Sequence, residues 1–331
     1  MSPTSTPLGI GVIGGRSTVA ELAILPAIRA SPKVRLAAIA SVGGPLKEPW
    51  AAAGVSSYEA VIEHPDVEAV YIPLPNGLHA LWAERCAQAG KHVLCEKPIA
   101  RTAAEAALMA SVATAQNTLL VEAWMTPFDA RWSEALNIAR RGDLGAIHRI
   151  DTSFTFTLGP AHTNNYRWDP QHGGGALLDV GIYCLGPAVE LWGSQPSKIQ
   201  AAMTQTAGGV DHTTAATLVW DEARSATIRC SFAEPERQLL QIDGDCGTLK
   251  IHRGAHTGGE SRSEISLVTD VEGSKTLTTD VNNPYAEMLE AFADSVRRTR
   301  AWPRPIQRSV EMLQLIDQIR AATDPVDHRL Q

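Results

Sequence analysis

Between Leu8 and about Thr118 the chain alternates unbroken apolar runs with longer stretches of helical pattern, and this alternation narrows the fold more than any other feature. LGIGVIGG leads into VAELAILPAIRA; VRLAAIAS follows; VEAVYIPLP precedes NGLHALWAERCAQAG; HVLCE precedes TAAEAALMASVATAQ; TLLVEAW closes the series. Apolar runs of about five to eight residues without polar alternation suit strands covered on both faces, as crossover helices cover a parallel sheet. Residues 1–123 therefore read as a doubly wound parallel α/β domain.

The pattern then changes character. After the amphipathic helix DARWSEALNIARRGDLG, with Gly142 and Gly145 as stop signals, IHRIDTSFTFTL alternates with a period near two. A glycine-rich helix start at Gly173 follows, then the alternating runs KIQAAMTQT, TTAATLVW, SATIRCSF, QLLQIDGD, GTLKIHR and EISLVTD, and two helical segments, PYAEMLEAFADSVRRTR and IQRSVEMLQLIDQIRAA. Residues 124–331 read as an α+β domain with a mostly antiparallel, open-faced sheet.

A length of 331 residues suits two domains. With 44% hydrophobic and 20% charged residues and a net charge of −7, the chain offers no basic stripe for a phosphate backbone, so nucleic acid is not an expected partner. MSPTSTPLGI lacks a basic cluster and an apolar core, and no stretch of about 18 apolar residues occurs, so a cytoplasmic protein without a membrane span is expected. Cys86, Cys95, Cys184, Cys230 and Cys246 are scattered and never in C-x-x-C spacing, and the ten histidines form no H-E-x-x-H pair. Neither a disulfide framework nor a metal site is expected.

Residues 9–14, G-I-G-V-I-G, match G-x-G-x-x-G to the letter but in the wrong register, because Gly9 and Gly11 lie inside the apolar run. A dinucleotide-binding turn needs its glycines after the strand, where helix amides face a pyrophosphate. The turn is therefore placed at Gly14, Gly15, Arg16, Ser17 and Thr18, with a helix from about Val19; Arg16 stands where the middle glycine is usual, and the turn is one residue longer than usual. The second strand ends in AIASVGG, with Ser41 and no carboxylate. That absence favours NADP over NAD, since an acid there would repel a 2′-phosphate; Arg16 or Lys47 could supply the balancing charge.

KHVLCEKPIA places Lys97 at the end of an apolar run and before a proline, which disfavours helical geometry in the preceding residue. The ammonium is thereby aimed into the crevice where open α/β sheets bind ligands, and can stabilise charge on a substrate oxygen. In HGGGALLDVGIYCLG, Asp179 and Tyr183 stand four apart, and on one helix they would share a face. With Lys97 they could form a proton relay for alcohol oxidation or its reverse.

YIPLPNGLHALWAERCAQAGKHVLCEKPIA, EAWMTPFDARW and NNYRWDPQHGGGALLDVGIYCLG, in this order and spacing, resemble the glucose-fructose oxidoreductase and inositol dehydrogenase family of nicotinamide-dependent oxidoreductases over nearly the whole chain, with wording nearest the dihydrodiol dehydrogenase-like branch. The resemblance implies a Rossmann domain followed by a substrate-binding and dimerisation domain, and an NADP- or NAD-dependent dehydrogenase or reductase of sugars or related polyhydroxylated alcohols. It implies Lys97 and Tyr183 as the catalytic pair, with Asp179 orienting substrate or assisting proton movement. Leu74, Pro75, Asn76, His79 and Glu96 would line the nicotinamide ribose side, with Arg167 and Trp168 near the nicotinamide and substrate. Similar proteins also imply a homodimer, or a dimer of dimers, through the open sheet. Some relatives instead retain the cofactor and hydrolyse or epimerise glycosides; a non-enzymatic sensor or scaffold is a third reading. The chain departs from the family pattern in GGRSTVA, in ASVGG, which lacks an arginine after the serine, and at Pro127. Loops near 159–172 and 254–263 are expected to shape the substrate site.

Overall fold

The computed structural model describes residues 6–159, 165–257 and 263–323; parts of both expected substrate loops, 160–164 and 258–262, lie outside the described residues. In chain order the elements are β1 (Leu8–Ile13), a π-helical turn (Ala20–Ile24) running into α1 (Leu25–Ala30), β2 (Val34–Ala40), α2 (Tyr58–Glu63), β3 (Ala69–Ile72), α3 (His79–Gln88), β4 (His92–Glu96), α4 (Ala103–Ala115), β5 (Leu120–Ala123), α5 (Ala130–Arg141), β6 (Ile147–Thr157), α6 (Ala176–Asp179) and α7 (Gly181–Trp192). Then come β7 (Lys198–Gln205), β8 (Asp211–Val219), β9 (Ser225–Ser231), β10 (Ala233–Gly244), β11 (Gly247–Ile251), β12 (Ser263–Thr269), β13 (Gly273–Thr279), α8 (Pro284–Val296) and α9 (Ile306–Ala321). No helix among the described residues is long and apolar enough to cross a membrane.

Two compact units result: residues up to Met125 with Asn283–Val310, and Thr126–Asn282 with Glu311 onward. The first holds a fully parallel sheet in the order β2-β1-β3-β4-β5. Every residue of β1 is buried, as its unbroken apolar run requires of a strand covered on both faces. The chain passes from β1 to β2 on one side and places β3 on the other, so the carboxyl ends of β1 and β3 flank the point where connections diverge, the usual ligand crevice of an open α/β sheet.

Helix α8 belongs with this unit, although the division of the sequence at residue 123 assigns it to the C-terminal half. Its buried stripe, Met288, Leu289 and Phe292, needs cover, and the helix packs on α1 and β2. Lys33 Nζ meets Asp294 at 2.9 Å, and Arg297 Nη1 meets Glu68 at 2.6 Å.

The second unit holds an eight-stranded sheet, β13-β12-β11-β10-β6-β9-β8-β7. It is antiparallel except where β6 pairs in parallel with β9. Strand β13 has no counterpart among the expected runs: its apolar content is a single Leu277, so its pattern is carried by threonine and serine. Helix α7 packs on β6 and β9, and α6 on β8 and β9.

One acid interrupts the apolar β5. Glu122, 4% exposed, accepts from the Ile99 amide at 2.9 Å through Oε1, and from Arg304 Nη1 (2.8 Å) and Ser309 Oγ (2.7 Å) through Oε2. Arg304 also lies over the Trp124 ring at 4.8 Å. Breaking a buried pair from either side leaves an uncompensated charge, so Arg304→Met, which strands the Glu122 anion, and Glu122→Gln, which strands the Arg304 cation, are each expected to destabilise the protein by about 3–5 kcal/mol in urea unfolding.

Candidate active site

In the first unit the glycine turn follows β1 directly, and the helix begins at Thr18, close to the expected Val19. Gly14 has φ +97°, and a Cβ there would lie 2.7 Å from Leu74 Cδ2, so only glycine lets this turn close against the loop after β3. The Ser17 hydroxyl accepts the Ala20 amide at 3.2 Å and so stabilises the helix start. A π turn holds more residues than an α turn, and Ala20–Ile24 is a place where the extra residue of the glycine turn can be absorbed without ending the helix. Across the turn, Arg16 Nη1 donates to the Gly43 carbonyl just past β2, beside Ser41, whose hydroxyl accepts the Gly43 amide at 3.4 Å.

These residues fit a dinucleotide. The close turn after β1, the helix that follows it and a β2 end without an acid are the parts that receive a pyrophosphate and an adenosine ribose in this sheet order.

Beyond β4 the Lys97–Pro98 peptide is cis, and Lys97 is half-buried. Glu96 is buried; its Oε1 accepts the Tyr71 hydroxyl at 2.7 Å and its Oε2 the Lys97 amide at 3.1 Å. Burial pushes this carboxyl up to about 7, against the opposing pull of the Tyr71 hydrogen bond and the Lys97 charge. His79 is fully buried, with Nδ1 2.8 Å from the Pro98 carbonyl and Nε2 2.8 Å from the Leu74 carbonyl. Both ring nitrogens thus face backbone, and the histidine joins the loop after β3 to the loop after β4. Pro75 opens a 3-10 turn (Asn76–Leu78), in which Asn76 is buried.

The second unit brings Arg167, Asp179 and Tyr183 together. Asp179 ends α6, and Tyr183 lies in the first turn of α7; the helix is broken at Val180, so the two do not share one continuous helical face as their spacing suggests. Pro187 adds to this irregularity, since it has no N–H for the carbonyl four residues back, that of Tyr183. Asp179, 3% exposed, accepts from Arg167 Nε at 2.7 Å. The Asp179 charge raises the Arg167 guanidinium above its usual range, with further contributions from Tyr166 and Tyr183. Arg167 also lies 5.0 Å from the Tyr166 ring, while Trp168 sits edge-on to Phe232 at 5.5 Å.

The Tyr183 ring, 6% exposed, packs edge-on to Phe154 at 5.4 Å and stands 6.2 Å from the His256 ring. His256 stacks on Phe154 at 5.6 Å and places Nε2 3.1 Å from the Ser153 carbonyl, which makes Nε2 the donor. Among the described residues its Nδ1 has no partner of good hydrogen-bond geometry, although the Leu239 backbone also acts on the ring.

Two family models cover most of the chain: an oxidoreductase family NAD-binding Rossmann fold over residues 8–123, and a GFO/IDH/MocA C-terminal domain over residues 132–250. The chain belongs to the GFO/IDH/MocA family of oxidoreductases. It is 33% identical over 315 residues to a D-xylose 1-dehydrogenase (NADP(+)) of Haloferax volcanii, covering 92% of this chain and 94% of that one. It is 31% identical over 196 residues to trans-1,2-dihydrobenzene-1,2-diol dehydrogenase of Bos taurus, covering 59% of this chain and 58% of that one. A 3-ketoreductase from Actinomadura kijaniata, solved in complex with NADP and TDP-benzene, superposes with a TM-score of 0.87 at 26% identity over 96% of this chain and 98% of that one. This family member is an NAD(P)-dependent oxidoreductase whose nicotinamide dinucleotide is held by the Rossmann domain.

Several supporting residues carry little signal in the sequence. Asp211, 6% exposed at the start of β8, accepts the Leu177 amide at 2.7 Å and the Thr214 hydroxyl at 3.2 Å, fixing the first turn of α6. Gly175, φ +120°, makes room for it, because a Cβ there would lie 2.0 Å from Asp211 Oδ1. Burial raises the Asp211 carboxyl to about 6, which the Leu177 amide opposes. Phe154 and His256 around the phenol leave no motif at all.

Burial drives His256 down to about 4, so the folded unit holds it neutral, while the unfolded chain takes up a proton near pH 6.5. Its contribution to stability is complete above pH 6.5 and is lost as the pH falls toward about 4. Thermal unfolding followed from about pH 7.5 to 4.5 is expected to show a shallower acid limb for His256→Phe than for the wild type, by up to about one proton.

Proposed function

We propose that this oxidoreductase moves a hydride between a nicotinamide dinucleotide, NADP in preference to NAD, and a hydroxyl- or keto-bearing carbon of a sugar or related polyhydroxylated alcohol. The observation that carries the reading is the Tyr183 phenol, buried among Phe154 and His256 and in electrostatic reach of an Arg167 guanidinium held by Asp179. When bound, the nicotinamide supplies or accepts the hydride.

Tyr183 gives a proton to the carbonyl oxygen on reduction and takes one from the hydroxyl on oxidation. Arg167 places a positive charge in electrostatic reach of that phenol. Asp179 is committed to Arg167 at 2.7 Å, so its part is to keep that cation in place rather than to carry the proton. Lys97, in the first unit, is an ammonium suited to stabilising charge on a substrate oxygen, its backbone fixed by Glu96, His79 and Glu122.

By their names, the Haloferax relative acts on D-xylose and the Actinomadura neighbour is a 3-ketoreductase solved with a TDP-linked ligand. A substrate panel should therefore span free aldoses, ketoses, inososes and nucleotide-linked keto sugars, with reduced or oxidised cofactor followed by nicotinamide absorbance. Tyr183→Phe and Lys97→Met are each expected to lower kcat by about 10²–10⁴, with the dissociation constant for NADP little changed in Tyr183→Phe. Wild-type rates in both variants would remove the assignment. Cleavage of aryl glycosides without net nicotinamide turnover would favour the cofactor-retaining hydrolase reading instead.

A further inference from the structure

We propose that Arg16 reads the adenosine 2′-phosphate of NADP, at a site completed by Ser41, Val42 and Gly43, and that it sets the preference for NADP over NAD. This rests on the reading that the first unit holds a nicotinamide dinucleotide.

In a sheet of this order the adenosine ribose comes to the end of β2, where an acid takes the 2′-hydroxyl of NAD or an arginine accommodates the phosphate of NADP. After Ala40 the chain runs Ser41-Val42-Gly43-Gly44, so no carboxylate stands at that end to repel a phosphate. The cation that reaches it comes from the other side of the crevice. Arg16, in the glycine turn, extends to the β2 loop and donates Nη1 to the Gly43 carbonyl. The approach is close: a Cβ on Gly44, φ +115°, would lie 2.5 Å from that nitrogen. Among the described residues no carboxylate pairs with Arg16, and one contact to a carbonyl leaves most of the five guanidinium N–H donors for another acceptor. A planar fork of donors matches a phosphate better than a single ammonium does.

Two neighbouring observations support the assignment. Val42, next in the chain to the Gly43 that Arg16 contacts, is 86% exposed, an apolar side chain that a stacked base would cover. Its backbone hydrogen-bonds to Tyr58, so the loop is held in place. Lys47, the other cation near this loop, is engaged elsewhere, with Nζ 2.7 Å from Glu21 Oε2. The sequence leaves Arg16 and Lys47 as equal candidates; the structure separates them.

Isothermal calorimetry on the full chain with NADP, NAD and adenosine 2′,5′-bisphosphate tests the assignment without turnover. Arg16→Gln is expected to weaken NADP and the bisphosphate by roughly tenfold to a hundredfold while changing NAD by less than about threefold. Lys47→Gln is expected to leave the NADP to NAD ratio near the wild-type value. Raising the ionic strength is expected to weaken NADP more than NAD in the wild type, and to lose that difference in Arg16→Gln. An unchanged NADP to NAD ratio in Arg16→Gln, in a protein whose wild type binds both, overturns this assignment alone, as does collapse of the ratio in Lys47→Gln only. A wild type that binds neither cofactor overturns it together with the dinucleotide reading.

Discussion

Three buried side chains grip the backbone between Glu96 and Ile99, and the placement of Lys97 depends on that grip. Glu96 takes the Lys97 amide, His79 meets the Pro98 carbonyl, and Glu122 takes the Ile99 amide. A turn at the end of a strand leaves backbone donors and acceptors without ladder partners, and each must be satisfied once water is excluded. Here the partners are side chains from β4, β5 and α3, so elements of the sheet domain fix the turn. His79 is the most exacting of them, because both of its partners are carbonyl oxygens. A neutral ring donates to one of them; the imidazolium donates to both, and burial, which lowers the His79 pKa, opposes that form.

The second unit solves an equivalent problem with two carboxylates in series. Asp211 on β8 fixes the start of α6 through the Leu177 amide, α6 is a single short turn, and its last residue, Asp179, holds Arg167. A helix this short has no stability of its own. Its geometry comes from a strand, so the position of the guanidinium beside Tyr183 traces back to the sheet through one capping contact and one ion pair.

Much of this was legible in the sequence where a local rule governs it. The unbroken apolar runs gave away the parallel sheet, and the displaced glycines put the turn at Gly14 rather than Gly9, because a residue inside a strand cannot also make the sharp turn after it. Asp129 and Gly142 bound α5 by ordinary capping chemistry. What escaped has long-range causes. Spacing alone joined Asp179 and Tyr183 on one helix, whereas the break at Val180 arises in a segment fixed by packing on β8 and β9. The attachment of α8 to the first unit depends on which apolar surface is left to cover, which no pattern within the helix reveals. Glu122 was detectable in principle, since an acid in the middle of TLLVEAW is an exception that asks for a partner, but Arg304 is 182 residues away. His256 and Phe154 meet only through the folded sheet and leave no spacing to read.

The exceptions have a common physical meaning. A core built for stability alone would replace Glu122 and Arg304 with apolar residues of similar volume, a change that is often neutral or favourable for a buried pair. It would likewise not keep a carboxyl at Glu96 whose burial pushes it up to about 7, or a histidine at 256 whose burial drives it down to about 4. Such groups are expected where position matters more than stability, because charged hydrogen bonds are directional and apolar contacts are not. In both units they lie next to the side chains assigned to the chemistry: Glu96, His79 and Glu122 around Lys97, and Arg167, Asp179 and His256 around Tyr183. The polar exceptions of the two cores are thus best understood as the means by which an ammonium in one unit and a phenol in the other are each held in place by directional contacts.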